Sequence, residues 1–166
     1  MKICLLSDTH HHLDDGIRTH LDWADEIWHA GDIGNAGLLD ELEKFCTTRA
    51  VWGNIDGADL RVRLPELNSF EVDGLKVSIF HIGGHPPRYN AVSAKILDEL
   101  RPDIFIAGHS HILKVMRDQD RKLIYMNPGA AGQHGFHKIR TLLRFNIEEG
   151  VLKNLEVVEL GKRGKI

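Results

Sequence analysis

Cysteine is scarce in this sequence, since only Cys4 and Cys46 occur among its 166 residues. Two cysteines are too few for a framework of disulfide bonds, and Cys4 lies in an apolar run, where a thiol is usually a small buried side chain. An excess of one charge is absent too, because the net charge is only -3 at pH 7. Extended binding to nucleic acid is therefore not expected.

Long apolar runs are also missing from the chain. No run approaches the roughly 20 apolar residues of a membrane span, and Ser7 and Asp8 interrupt the first apolar run too early for a signal peptide. These features predict a cytoplasmic protein without a membrane segment, in which residues 1–166 form a single domain. Histidine is abundant by contrast, with 11 residues, and it is the commonest metal ligand in proteins.

Apolar runs and amphipathic segments alternate in the first third of the chain. Ile3–Ser7 is typical of a strand that is buried on both faces, and Ile17, Leu21 and Ala24 recur at helical spacing. A strand, a helix and a second strand in this order form a parallel βαβ unit, which predicts an α/β fold. The predicted elements are strands at residues 3–7, 26–32 and 50–54 and helices at residues 17–24 and 38–45.

The pattern changes after Leu64. Two alternating runs are separated by Asp73-Gly74, which predicts a hairpin, and a third helix is expected from Val92 to Leu100. The polar segment Asp59–Arg63 is predicted to be a loop. A further apolar strand is expected at residues 103–107. An antiparallel meander is predicted for the strands at residues 115–117, 123–126, 141–147 and 151–158.

Polar side chains follow the predicted strands at their carboxyl ends, where α/β sheets bind ligands. Asp8 and His10 follow the first strand, and strand alternation would point both side chains the same way. A helix cap followed by a surface histidine is the alternative for this pair. Asp32 and Asn54 follow the next two strands, each after a glycine, although a glycine and asparagine pair also suits a β-turn.

Histidines add to this set of groups at strand ends. His81 is expected to continue the inward face of the hairpin, and His109 and His111 follow an apolar strand and a glycine. The spacing of the last two suits ligation of one metal site. His29 is predicted to be a hydrogen-bonded core residue. Surface positions are expected for two histidines of a glycine-rich loop, His134 and His137.

The donor types favour a pair of cations over a structural zinc ion. Two carboxylates, one amide and four imidazoles occur without a thiolate, which suits Mn²⁺, Zn²⁺, Fe or Ni²⁺. Seven ligands are too many for one such ion, so two ions must share a carboxylate, and Asp32 is central in chain order. The expected ligands are Asp8, His10, Asp32, Asn54, His81, His109 and His111.

The same residues form five motifs in a fixed order. The motifs are Asp8-Thr9-His10, Gly31-Asp32, Gly53-Asn54-Ile55-Asp56, His81 and Gly108-His109-Ser110-His111. This set resembles the motifs of the calcineurin-like metallophosphoesterase superfamily. The short chain and the Asn127-Pro128-Gly129 turn make it most similar to the small bacterial and archaeal phosphodiesterases of that superfamily.

The resemblance implies a four-layer α/β/β/α sandwich, in which helices flank two mixed sheets. It implies two divalent metal ions, with manganese favoured and zinc, nickel or iron as alternatives. It also implies hydrolysis of a small phosphodiester by hydroxide that the two metals activate, with Asp32 and Asn54 at the catalytic centre, and possible self-association. One ion is assigned to Asp8, His10, Asp32 and His111, and the other to Asp32, Asn54, His81 and His109.

One position departs from the pattern of this family. Many members carry a histidine after the Gly-Asn pair, where it helps to protonate the leaving oxygen, whereas this chain has Ile55. An isoleucine transfers no proton, and general-acid assistance is worth about 10²–10⁴-fold. The sequence therefore predicts a preference for leaving groups that depart without help, such as aryl oxygens.

Two other functions remain open at this point. A phosphomonoesterase would favour extra cations for the more charged substrate, and Arg88 is the best candidate, with His11 as a second residue that contacts the substrate; both also suit solvated loop positions. A non-catalytic docking module of the same fold, as in the retromer coat, is the other alternative. Every ligand position here holds a competent residue, which argues against that role.

Overall fold

Two mixed β-sheets form the centre of the computed structural model, which describes residues 1–164. The predicted domain limit at residue 166 lies outside the described residues. Along the chain the elements are β1 (Lys2–Leu6), α1 (Asp15–Leu21), β2 (Glu26–His29), α2 (Ala36–Glu43), β3 (Thr47–Ala50), α3 (Ala58–Arg61), β4 (Leu67–Val72), β5 (Leu75–Phe80), β6 (Gly84–His85), β7 (Arg88–Tyr89), α4 (Ala91–Leu100), β8 (Ile104–Ile106), β9 (Lys114–Asp118), β10 (Leu123–Asn127), β11 (Ile139–Glu148) and β12 (Val151–Lys162).

Each large sheet has a parallel centre with antiparallel strands beside it. The first sheet has the order β12-β11-β1-β2-β3, in which β1, β2 and β3 are parallel. The second has the order β4-β5-β8-β10-β9, in which β5, β8 and β10 are parallel. Because the central strands of each sheet are parallel, their carboxyl ends lie at one edge of that sheet.

Side chains that alternate along the strands separate the layers. In β1, Ile3 and Leu5 pack in the core between the two sheets, whereas Cys4 and Leu6 pack with the apolar residues of α1 and α2. A third cluster places Leu97 of α4 against the outer face of the second sheet. These three cores confirm the predicted four-layer sandwich and the prediction that the first strand is buried on both faces.

Polar caps determine where three of the helices begin. The side chains of Asp14, Asn35 and Asn90 precede α1, α2 and α4, and each accepts a hydrogen bond from the third backbone amide that follows it, at 3.0, 2.8 and 2.8 Å. Such a cap is worth about 1 kcal/mol because it satisfies an amide that has no partner inside the helix. Pro102 follows the left-handed residue Arg101 at the end of α4, a common position for proline because it cannot continue a helix.

Three local predictions are wrong. The second strand ends at His29 and not at residue 32, and the third spans Thr47–Ala50 and not residues 50–54. His29 pairs with Ala50, so the two parallel strands end together. Beyond this pair the Trp52 amide bonds to Pro65 in a loop. The segment predicted to be a polar loop contains the short helix α3, which buries Leu60.

The predicted antiparallel meander is also wrong in its pairing. The hairpins β9–β10 and β11–β12 are antiparallel as expected, but β10 pairs with β8 in parallel and β11 leaves to pair with β1 of the other sheet. Local alternation gives each strand but not its partner, so this crossing between sheets was not predictable from the pattern. The hairpin around Asp73-Gly74 is confirmed.

None of the helices within residues 1–164 combines the length and the apolar character needed to cross a membrane.

We predict that Asp14→Ala destabilises the fold by about 2 kcal/mol, because it removes the α1 cap and leaves the buried Arg140 guanidinium without its ion pair at 2.8 Å. Burial alone would raise the pKa of Asp14, but hydrogen bonds from Arg140 and the Ile17 amide lower it well below its usual value. The contribution is therefore full above about pH 4 and is lost as the pH falls further. Urea unfolding at pH 7 and at pH 3 measures both effects.

The control is Asp15→Ala, which removes an exposed carboxylate from the first turn of the same helix. A change of a few tenths of a kcal/mol is expected there. Equal destabilisation by both variants, or a difference that does not shrink at low pH, would contradict the assignment.

Candidate metal centre

Loops from both sheets meet at one site. Asp8, Asp32 and Asn54 follow β1, β2 and β3 of the first sheet, whereas His81 and His109 follow β5 and β8 of the second. Two groups of three side chains are close enough to hold a cation, since their ligand atoms lie within 4.8 Å of one another. They are Asp8, His10 and His111, and Asp32, His81 and His109.

The first group consists of atoms that accept hydrogen bonds or bind cations. Nε2 of His111 lies 3.1 Å from Oδ1 of Asp8 and 3.4 Å from Nε2 of His10. Oδ1 of Asp8 is buried and has no hydrogen-bond partner within residues 1–164. Burial lowers the pKa of His10, which favours the neutral ring that binds metals. A buried carboxylate oxygen that faces two imidazoles fits a divalent cation.

The second group gathers around His81. Its Nδ1 donates to the Ala30 carbonyl at 2.6 Å, which directs Nε2 toward Oδ1 of Asp32 and Oδ1 of Asn54, both at 3.2 Å. Burial would lower the pKa of His81, but the Asp32 and Asp8 carboxylates raise it above its ordinary value. A cation held by these atoms competes with that proton, so the arrangement fits metal binding that weakens as the pH falls.

Asp32 lies between the two groups. Its Oδ1 is 3.2 Å from Nε2 of His81 in the second group, whereas its Oδ2 is 3.7 Å from Nε2 of His10 in the first. Burial would raise the pKa of Asp32, but His81 and the Ile55 amide, at 3.0 Å, lower it. The carboxylate is therefore ionised, with one oxygen directed toward each group, as a shared ligand requires.

Ser7 and Asn127 orient the ligands of the first group. The Ser7 hydroxyl donates to Oδ2 of Asp8 at 2.6 Å, and the His109 amide donates to the same oxygen at 3.1 Å. Asn127 donates to the carbonyl of Gly108 at 2.8 Å and to the Ser110 hydroxyl at 3.1 Å, which supports the loop that carries His109 and His111. Such outer hydrogen bonds hold ligands in the geometry that a metal needs.

Asp56 joins two of the ligand loops, a role that its sequence pattern does not reveal. Its buried carboxylate accepts hydrogen bonds from the amides of Ile33, Gly34 and Gly53 at 3.2, 2.7 and 2.8 Å. These amides belong to the loops that carry Asp32 and Asn54. The only sequence signal is its place in the Gly53-Asn54-Ile55-Asp56 motif.

His29 is buried and hydrogen-bonded, as the sequence predicts. Its Nδ1 accepts from the Gly31 amide at 3.1 Å, so its Nε2 donates to the Thr9 hydroxyl at 3.0 Å. Burial lowers the pKa of His29 to about 4, and the ring is therefore neutral at pH 7. It supports the turns after β1 and β2 and contributes no ligand to either group of three.

Five of the ligand residues have left-handed backbone conformations, with φ between 45° and 64°: Asp8, His10, Asp32, His109 and His111. Strand alternation was expected to point Asp8 and His10 the same way, and likewise His109 and His111. All four reach the site, but strand alternation is not the cause, because they lie in turns beyond the strands. A left-handed conformation costs a non-glycine residue about 1 kcal/mol or more, and such strain gathers at functional sites.

A cleft of about 490 Å³ opens over both groups. Residues 134–137 line it. His134 is exposed, as predicted, whereas His137 is half-buried. The His134 ring is 5.0 Å from the His10 ring, and the His137 ring is 5.3 Å from the His111 ring. Ile55 also lines the cleft. His11 and Arg88, the predicted substrate contacts, are not among the described residues that line the cleft. The His11 ring is 2.9 Å from the Asn35 side chain, and Arg88 lies in the small β6–β7 ribbon.

Comparison with known proteins finds similarity to phosphoesterases. The calcineurin-like phosphoesterase superfamily domain matches residues 1–150. A probable metallophosphoesterase of Methanocaldococcus jannaschii is 29% identical over 136 residues, which cover 78% of this chain and 68% of that protein. A phosphodiesterase of the same organism is 32% identical over 146 residues, which cover 78% and 83%.

Solved structures share the fold at lower identity. An archaeal phosphodiesterase has a TM-score of 0.75 at 24% identity and covers 96% of this chain and 99% of its own. Vps29 of Chaetomium thermophilum has a TM-score of 0.76 at 15% identity, with 99% and 100% covered. Since the family model spans nearly the whole chain and its motifs meet at one site, the chain belongs to the calcineurin-like phosphoesterase superfamily, a family of metal-dependent phosphoester hydrolases.

Proposed function

We propose that this protein is a phosphodiesterase that uses two divalent metal ions, with manganese favoured. The observation that carries the proposal is the position of Asp32, which directs one oxygen toward each group of ligands. When bound, such a pair of ions supplies activated hydroxide and stabilises charge on the phosphoryl oxygens. A cytoplasmic location and self-association stay predictions.

The chain's own residues have defined roles in this proposal. Asp8, His10 and His111 would hold one ion, whereas Asn54, His81 and His109 would hold the other, and Asp32 would be shared. The outer hydrogen bonds that Ser7 and Asn127 donate and that Asp56 accepts keep these ligands in place, so little reorganisation is needed during the reaction. The exposed face of the cleft admits a phosphoester from solvent.

A diester fits the charge of the cleft better than a monoester. Within the described part of the chain, no lysine or arginine lines the cleft. A phosphate monoester carries more negative charge than a diester and would favour such a cation. The absence of His11 and Arg88 from the lining removes the residues that the monoesterase alternative needs. A docking role is not favoured, because all seven ligand positions hold competent residues.

We predict that the protein with Mn²⁺ hydrolyses bis(p-nitrophenyl) phosphate and that Asp32→Asn lowers kcat/KM by more than about 100-fold, since even outer residues of a metal site are worth 10–100-fold. Elemental analysis should find two ions per chain in the parent protein and fewer in the variant. Metal binding should weaken as the pH falls, because protons compete at His81.

Asp22→Asn is the control, since this residue lies at the end of α1, outside both groups, and it should leave activity and metal content unchanged. A panel that includes p-nitrophenyl phosphate compares monoester with diester. One ion per chain, turnover that survives chelation, or faster hydrolysis of the monoester would contradict the proposal.

We predict a steep dependence of rate on the pKa of the leaving group for a series of aryl phosphodiesters, because Ile55 cannot donate a proton. Ile55 is 42% exposed and lines the cleft, so Ile55→His is expected to fit and to speed the poorest leaving groups by about 100-fold. Ile55→Asn, which is polar but cannot titrate, should not. A flat dependence in the parent protein would show that another group supplies the proton.

A further inference from the structure

Three large apolar side chains are exposed at the mouth of the metal cleft. Phe136 is 103% exposed, Ile112 is 63% exposed and Ile55 is 42% exposed. All three line the same cleft as five of the expected ligands, which are His10, Asp32, Asn54, His109 and His111. Single exposed apolar residues are common on protein surfaces and need no explanation. Three that come from separate loops and surround one polar site are a different case, because they form an apolar rim.

The loop that carries Phe136 is held against the ligand loops. A side chain at Gly132 would collide with the backbone of Asp8 and Thr9, and one at Gly135 would collide with the His111 ring, so both glycines permit close contact. His137 donates to the Gly132 carbonyl at 3.0 Å, and the Arg163 side chain donates to the His137 carbonyl at 3.2 Å. These contacts hold the backbone of the loop against the cleft, and the Phe136 side chain projects from it into solvent.

The size and charge of the cleft suggest what the rim binds. Its volume of about 490 Å³ lies in the range of sites that hold whole organic ligands, which is more than one phosphate group needs. No lysine or arginine lines it within residues 1–164, so the part of the substrate beyond the phosphate is not recognised by positive charge. Besides the polar side chains of Ser110, His134 and His137, the lining offers apolar contact with isoleucine and stacking on phenylalanine.

We propose that the substrate is a phosphodiester with a planar aromatic substituent, and that Phe136 stacks on this group while Ile112 and Ile55 contact its edges. This inference rests on the proposed phosphodiesterase function and names the class of its substrate. Stacking of an aromatic side chain on a planar ring is worth several-fold to about 100-fold in affinity. The rim therefore determines specificity, whereas the metal ligands determine chemistry.

A binding experiment tests the proposal without turnover. Methyl phenylphosphonate and methyl methylphosphonate carry the charge of a diester and differ only in the aromatic ring. Calorimetry with the Mn²⁺-loaded protein should show that the phenyl compound binds about tenfold more tightly. Phe136→Ala should remove this preference, Phe136→Tyr should keep it, and Val92→Ala, at another exposed apolar position (57%), should leave it unchanged.

The remaining outcomes overturn the inference. Equal affinity of the parent protein for the two phosphonates means that the rim does not bind the aromatic group, and so does a preference that survives Phe136→Ala. If Phe136→Ala instead alters the mass measured by light scattering and leaves the preference intact, the rim is a contact between copies of the chain. Metal-dependent hydrolysis of bis(p-nitrophenyl) phosphate by the parent protein separates these results from failure of the proposed function.

Discussion

Electrostatic repulsion among the ligand atoms is the constraint on which this site depends. Oxygens of Asp8, Asp32 and Asn54 and ring nitrogens of four histidines are brought together where few protein donors reach them. Such a collection is unfavourable unless positive charge is present, because buried acceptors and carboxylates lose their hydration. Ser7 donates to the other carboxylate oxygen of Asp8, and the Ile55 amide donates to Oδ1 of Asp32. His81 donates its Nδ1 proton to the Ala30 carbonyl, so its Nε2 is the nitrogen that faces the carboxylates. The charge that is missing must therefore come from bound cations or protons.

The backbone conformations around the site are also energetically unfavourable. Left-handed residues and glycines in close contact with ligand side chains occur together in the loops after the strands. Gly31, with φ of 98°, leaves room for the His81 ring, because any side chain there would overlap it. Hydrogen bonds that Asp56 accepts from the Gly34 and Gly53 amides, and one that Asn127 donates to the Gly108 carbonyl, hold these loops in place. The free energy gained by packing the four layers offsets the cost of these strained conformations.

The sequence predicts the layers and the ligand types well, for different reasons. Consecutive apolar residues such as Ile3–Leu6 identify strands covered on both faces, and the five motifs identify groups that could share a metal. It predicts less well whatever depends on distant partners, such as the end of β3 at Ala50, which is determined by the length of β2, and the pairing of β11 with β1. His134 and His137 were predicted to be surface residues, and His134 is exposed, but nothing local indicates that their loop folds over His111. Arg88 and His11 looked like substrate contacts only because they lie near ligands in the sequence.

The two groups of ligands have a mechanical consequence, because each draws on both sheets. Asp8 and His10 extend from the first sheet and meet His111 from the second, and Asp32 of the first meets His81 and His109 of the second. An ion bound in either place would add a link between layers that already share hydrogen bonds at this edge, such as those from His81 to the Ala30 carbonyl and from the His109 amide to Asp8. Folding and metal uptake are then thermodynamically linked: a metal concentration 100 times the dissociation constant adds about 2.7 kcal/mol to the free energy of unfolding. Resistance of the sandwich to opening thus depends on the metal supply around it.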